Sequence, residues 1–225
     1  MNTEINQKEL IKKYMDGDIS ALQILLSQIQ DKVFNLSIRM LFSIEDAEDA
    51  TQDILIKVVN NLHTFKGGSQ FSTWVYAVAR NHLITTKIKK AEAQNISFEL
   101  MSKDLQRDMS DTISVEDEYI NDIAIADLKI GCTQAMLLCL DREQRLMFIL
   151  SKIYKINSVE GAQIFSISPQ TYRKRLSRIA HKMQSFLTEN CGLINPSATC
   201  KCRKRLTHAI EMKRVNPSKP YFIEP

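Results

Sequence analysis

Glycine and proline are scarce, at 6 and 5 among 225 residues. A many-turned β protein needs more of both, so that class is disfavoured. Aromatic residues are few, and tryptophan occurs once. There is no run of eighteen apolar residues and no charged-then-apolar leader. No membrane insertion is therefore expected, and the chain reads as soluble and cytoplasmic. Five cysteines, an odd number, lack the spacing of a secreted disulfide framework. In a reducing compartment such residues serve as core, metal ligands or redox thiols. A net charge of +4 is too mild to mark a partner, so its distribution matters more.

What is present is helical periodicity. Leu10, Ile11 and Tyr14 precede a break at Asp16-Gly17-Asp18. Leu22, Leu25, Leu26, Ile29, Val33, Leu36 and Met40 then recur at steps of three or four, as on one helix face.

Residues 43–90 carry the strongest signal. Ser43 with Asp46 three residues on predicts a helix start, and Glu45, Asp46, Glu48 and Asp49 suit its dipole. Ala47, Ala50, Ile54, Val58 and Leu62 form a stripe to bury. Asp49, Gln52, Asp53 and Ile56 lie on another face. That face is either solvated or a docking surface for a basic partner. The second choice explains an acid beyond the first turn and an isoleucine among polar neighbours. A second helix is predicted with Ser72 as N-cap and Phe71 stapled to Tyr76, after a free turn at Gly67-Gly68. Trp74, Val75, Tyr76 and Val78 give it aromatic and apolar surface; Arg80, His82, Lys87, Lys89 and Lys90 give it positive charge. Rings that stack on bases and cations that hold phosphates suit a single nucleic-acid strand, although Trp74 and Val78 also suit a core.

Residues 92–118 lose periodicity and gain acid at Glu99, Asp104, Asp108, Asp111, Glu116, Asp117 and Glu118. They read as an extended linker, either a plain tether or a strand mimic. A helix is predicted over 123–140, with Ile125, Leu128, Cys132, Ala135, Met136 and Cys139 inward and both cysteines as small core residues. Asp141 with Gln144 starts another helix, continued by Met147, Phe148, Leu150 and Ile153. Residues 158–165, a turn at 166–168 and residues 169–182 then form a helix-turn-helix pattern. Ser168 is a good N-cap and Pro169 fits the first helical position. Gln170, Thr171, Arg173, Lys174, Arg175 and Arg178 lie near the start of the second helix, which is the end that enters a major groove.

The tail holds Cys191, Cys200 and Cys202. With His181 or His208 they supply four zinc ligands, although this is not a standard zinc-ribbon spacing. Alternatively Cys200 and Cys202 form a redox pair, with Lys201, Arg203, Lys204 and Arg205 expected to lower their thiol pKa. Reduced thiols in a mobile basic tail are the third reading.

Asp46-Ala47-Glu48-Asp49-Ala50-Thr51-Gln52-Asp53, followed by Phe71-Ser72-Thr73-Trp74-Val75-Tyr76-Ala77-Val78-Ala79-Arg80-Asn81, resembles the second conserved region of bacterial sigma factors. The similarity is greatest to the small extracytoplasmic-function class. Residues 140–182 resemble the fourth region of the same family. They depart from it at Asp141 where proline is usual, at Gly161 where an apolar residue is usual, and at Ser166 where glycine is usual. The cysteine-containing tail lies beyond the usual end of the family and resembles extensions in one subset.

The resemblance implies an all-α protein that is not an enzyme. Two helical domains would be joined by a flexible linker, with the helix-turn-helix in the second. It divides the chain into 1–92, a linker at 93–122, 123–189 and a tail at 190–225. Core RNA polymerase and promoter DNA are the implied partners, and an anti-sigma factor is left open. Polymerase binding would fall to Asp49, Gln52, Asp53 and Ile56. The minus-ten strand would fall to Phe71, Trp74, Tyr76, Arg80, Asn81 and Lys87. The minus-thirty-five duplex would fall to Gln170, Thr171, Arg173, Lys174, Arg175 and Arg178. No cofactor is required, and zinc in the tail is open. The alternative is a stand-alone helix-turn-helix regulator with a metal- or redox-responsive tail. A thiol oxidoreductase built on Cys200 and Cys202 lacks the strand-helix pattern such enzymes use.

Overall fold

A computed structural model describes residues 2–87, 96–107 and 118–221. Ten α-helices occur among them: α1 Asn2–Met15, α2 Ile19–Leu41, α3 Ile44–Asn61, α4 Phe71–Thr85, α5 Phe98–Leu105, α6 Glu118–Leu138, α7 Arg142–Phe148, α8 Ser158–Phe165, α9 Pro169–Asn190 and α10 Cys202–Glu211. The described residues contain no strand, only a single backbone bridge between Cys191 and Cys200. None of their helices is long and apolar enough to cross a membrane. Two compact units form, neither continuous in sequence: Met1–Ala93 with Arg142–Ser177, and Gln94–Asp141 with Arg178–Pro225. Lys89, Lys90, Asp108, Asp111, Glu116 and Asp117 lie outside the described residues.

The first unit is built from local signals. Asp18 caps α2 by accepting from the Ser20 and Ala21 amides at 2.9 and 3.3 Å. Ser43 caps α3 by accepting from the Asp46 amide at 3.3 Å. The stripe Ala47, Ala50, Ile54, Val58 and Leu62 is fully buried, and α3 packs along α2. Helix α4 corrects one expectation. It begins at Phe71 with Gln70 in the cap position, and Ser72 lies inside its first turn. An aromatic cluster fixes that start: Phe71 stacks on Trp74 at 5.8 Å and meets Phe65 edge-on at 5.5 Å. A Phe71–Tyr76 staple is therefore not needed.

The helix-turn-helix forms as predicted, with Ser168 Oγ accepting from the Thr171 amide at 3.1 Å. Asn157 and Glu160 close a reciprocal capping box on α8. Ser166 occupies the left-handed region at φ 54°, a conformation that favours glycine. Gly161 is a requirement here. A Cβ at this position would overlap the ring of Tyr172, which is itself fully buried.

In the second unit, residues 98–105 form a helix where an extended linker was expected. Ser97 caps it by accepting from the Leu100 amide at 3.1 Å, and Met101 and Leu105 are buried. Phe98 packs on Phe186 with ring centroids 5.1 Å apart. Asp104 accepts from buried Arg205 and from Arg214, each at 2.6 Å. A separate core of Ala124, Leu206, Ala209 and Val215, joined by Ile125, Leu128 and Ile210, holds α10 against α6.

Candidate nucleic-acid interface

Helix α3 keeps Asp49, Gln52, Asp53 and Ile56 on its exposed side, with Ile56 57% exposed. A lone exposed isoleucine is ordinary. Here it adjoins two acids on a helix whose opposite side is buried, so the face is both amphipathic and acidic.

Helix α4 sorts its predicted residues differently. Asn81 and Lys87 are exposed, and Trp74 and Arg80 are partly so. Phe71 and Tyr76 are buried. Phe71 belongs to the aromatic cluster, and Tyr76 meets Tyr154 edge-on at 5.6 Å. Burial pushes the Tyr76 phenol well up, so it stays protonated. Arg80 Nη2 donates to Glu143 Oε1 at 3.4 Å, and its guanidinium lies 5.2 Å above the Phe165 ring. His82 is not a source of positive charge. Burial and then the Lys57 ammonium hold its pKa below the ordinary value, only partly offset by Asp53. Its Nδ1 lies 2.6 Å from Lys57 Nζ, so the ring accepts there as neutral imidazole.

A cavity of about 160 Å³ opens beside the loop ahead of α4, lined by Gln7, Lys8, Gly67, Gly68, Ser69, Gln70 and Phe71. The glycine pair was legible in sequence. Gln7 and Lys8 were not, because no local pattern links α1 to a loop sixty residues on.

Helix α9 exposes Gln170, Arg173, Lys174, Arg175 and Arg178, with Thr171 half-buried. Arg175 Nη1 lies 3.8 Å from Glu143 Oε1, and Arg173 Nη1 donates to Ser158 Oγ at 3.3 Å. Arg142 and Arg145 serve the scaffold. Arg142 donates to the Ile84, Thr86 and Lys87 carbonyls at the end of α4. Arg145 is buried, donates to the Met40 carbonyl at 2.8 Å and stacks over Phe42.

The tail departs from expectation in two ways. Burial pushes the Cys200 thiol up to about 11 and raises Cys202, outweighing the basic neighbours. Cys132 is half-buried, and burial first, then Cys200, Cys202 and Cys191, pushes its thiol up to about 12. His181 is exposed on α9. All five cysteines are free. Among the described residues no group of three or more His, Cys, Asp or Glu side chains could hold a metal ion.

Residues 25–92, which span α3, the loop and α4, match the Sigma-70 region 2 family. The ECF RNA polymerase sigma factor SigW of Bacillus subtilis is 27% identical over 78% of this chain and 93% of its own length. The chain is an ECF-type RNA polymerase sigma factor. The RNA polymerase sigma-H factor of Pseudomonas aeruginosa is 32% identical to this sigma factor, over 37% of the chain and 46% of the relative. The solved structure of CnrH in complex with the cytosolic domain of CnrY superposes with TM-score 0.57 at 16% identity. It covers 81% of this sigma factor and 97% of CnrH, a likeness of fold.

Proposed function

We propose that this sigma factor divides promoter recognition among three surfaces. The exposed face of α3, with Asp49, Gln52, Asp53 and Ile56, docks on a basic surface of core RNA polymerase. Trp74, Arg80, Asn81 and Lys87 of α4, with the cavity at Gly67-Gly68, hold the opened minus-ten strand. Residues 170–178 of α9 read the minus-thirty-five duplex. Phe71 and Tyr76 support the strand surface from beneath, since both rings are buried.

The carrying observation is the division of α3 into a fully buried stripe and an exposed acidic face. A solvated helix gains nothing from an isoleucine among its acids, whereas an interface gains apolar burial and electrostatic steering. Strand separation costs unpairing and unstacking; capture of extruded bases offsets part of that cost.

The test is run-off transcription with core enzyme and this chain on a promoter template. Transcripts that start at one position and require the chain support the reading. Tight binding to duplex DNA without core enzyme, and no transcript with it, would instead favour a stand-alone regulator.

A further inference from the structure

Helix α4 and the helix-turn-helix pack within the same compact unit, Met1–Ala93 with Arg142–Ser177. Arg142, the first residue of α7, donates to the Leu83, Ile84, Thr86 and Lys87 carbonyls, at the end of α4 where a helix leaves acceptors open. Helix α7 passes into a π-helical turn at Ile149–Ile153, and Tyr154 follows it. The Tyr154 ring meets Tyr76 of α4 edge-on at 5.6 Å, and its hydroxyl donates to the Lys32 carbonyl of α2 at 3.3 Å. Phe165, the last residue of α8, lies 5.2 Å from the Arg80 guanidinium of α4. The seam is therefore partly aromatic and partly polar. It also carries a standing cost: Arg80 Nε is buried there without a hydrogen-bond partner among the described residues. Water would satisfy that donor if the seam parted.

This packing conflicts with the distance between the two promoter elements. A compact body of about 130 residues is roughly 35 Å across. Elements named for positions ten and thirty-five lie about 25 base pairs apart, or about 85 Å of duplex. Duplex DNA is stiff over that length, so it does not fold back to bring them together. Held in one unit, α4 and the start of α9 cannot reach both elements at once.

We propose that this unit is the resting, closed form of the free chain, and that it parts between α4 and α7–α8 when core polymerase and promoter are engaged. The inference rests on the assignment of the opened strand to α4 and of the duplex to α9. The closed form acts as a brake. It holds Arg80 against Glu143 and Phe165, and it keeps the two reading helices too close together. The apparent affinity for the complete promoter is reduced by the fraction of chains that are open. Tyr154 and Arg142 belong to the latch and to none of the three recognition surfaces, so changing them shifts that fraction without removing a contact to DNA.

The experiment places spin-labelled unnatural amino acids at Asn60 of α3 and at Lys152, both exposed, in the full chain. Pulsed electron paramagnetic resonance then measures their separation. The free chain is expected to give one distance, below about 40 Å. In complex with core polymerase and a promoter duplex the distance is expected to grow by more than about 20 Å. Tyr154→Ala is expected to populate the longer distance in the free chain and to tighten the promoter complex about threefold or more. Arg142→Gln, which loosens the same latch at the end of α4, is expected to act in the same direction, and circular dichroism checks that each variant is folded. A free chain without the short distance overturns the proposal. So does a complex that keeps the short distance and still gives a transcript, or a pair of folded variants with unchanged distance and affinity. A complex that lengthens the distance yet gives no transcript supports the opening and overturns instead the assignment of the DNA surfaces.

Discussion

Glu143 Oε1 lies 3.4 Å from Arg80 Nη2 and 3.8 Å from Arg175 Nη1. One carboxylate thus holds an arginine assigned to the opened strand and another assigned to the duplex. On the proposed assignment, phosphates must displace it from both. The pairs are partly exposed, so each contributes about 1 kcal/mol or less. Glu143→Gln is expected to tighten binding of single-stranded and duplex probes by roughly two- to fivefold at low salt. The gain should shrink as salt rises. Fluorescence anisotropy across a salt series measures it, and an unchanged affinity at low salt would show that the carboxylate does not compete with DNA.

Docking through α3 makes a separable prediction. Reversing Asp49 and Asp53 to Lys is expected to weaken association with core polymerase by about tenfold or more, as for charges facing a basic partner. Both residues are exposed, so the unfolding midpoint should barely move. Competition with a labelled sigma factor for core enzyme reads the first effect. Undiminished association would remove α3 from the interface.

Helix α3 and the helix-turn-helix were legible because their signals are local. Ser43, Ser168 and Pro169 mark boundaries within a few residues, and the α3 stripe is its own evidence. The rest depends on partners far along the chain. Helix α5 looked like an acidic tether because its stabilisers, Phe186, Arg205 and Arg214, come about ninety to 110 residues later. His82 reads as a cation until Lys57, twenty-five residues earlier, is placed against its ring. The basic run beside Cys200 and Cys202 suggested activated thiols, whereas burial, which no run of letters displays, decides their ionisation.

Gly161 looked like a defect within a helix, and its contact with Tyr172 turns it into a packing requirement. Gly161→Ala is expected to destabilise the first unit by about 1–3 kcal/mol, the usual range for overpacking, despite alanine's better helix propensity. With Tyr172→Ala already in place, the added methyl should cost far less, because the ring it meets is gone. Urea unfolding of the two single variants and the double variant tests this. Additive losses would mean that the clash is absorbed elsewhere.

The last prediction concerns acid. Burial raises the Asp104 pKa, but the hydrogen bond from Arg214 and the charge of Arg205 outweigh it, so the carboxyl titrates below its ordinary 3.8. A depressed folded pKa means that the folded state binds the proton more weakly than the unfolded state. The resulting stability is fully present well above 3.8 and is lost as pH falls through the folded value. Arg205 is 3% exposed and would be left without its charge partner in Asp104→Asn. Because Asp104 itself is about a third exposed, the expected loss near neutrality is discounted to about 1–3 kcal/mol. Hydrogen exchange of α5 and α10 should show that loss at pH 7, and the difference between the two proteins should narrow as pH falls and the native carboxyl takes up its proton. A difference that persists undiminished into acid would mean that Asp104 holds the tail by shape and not by charge.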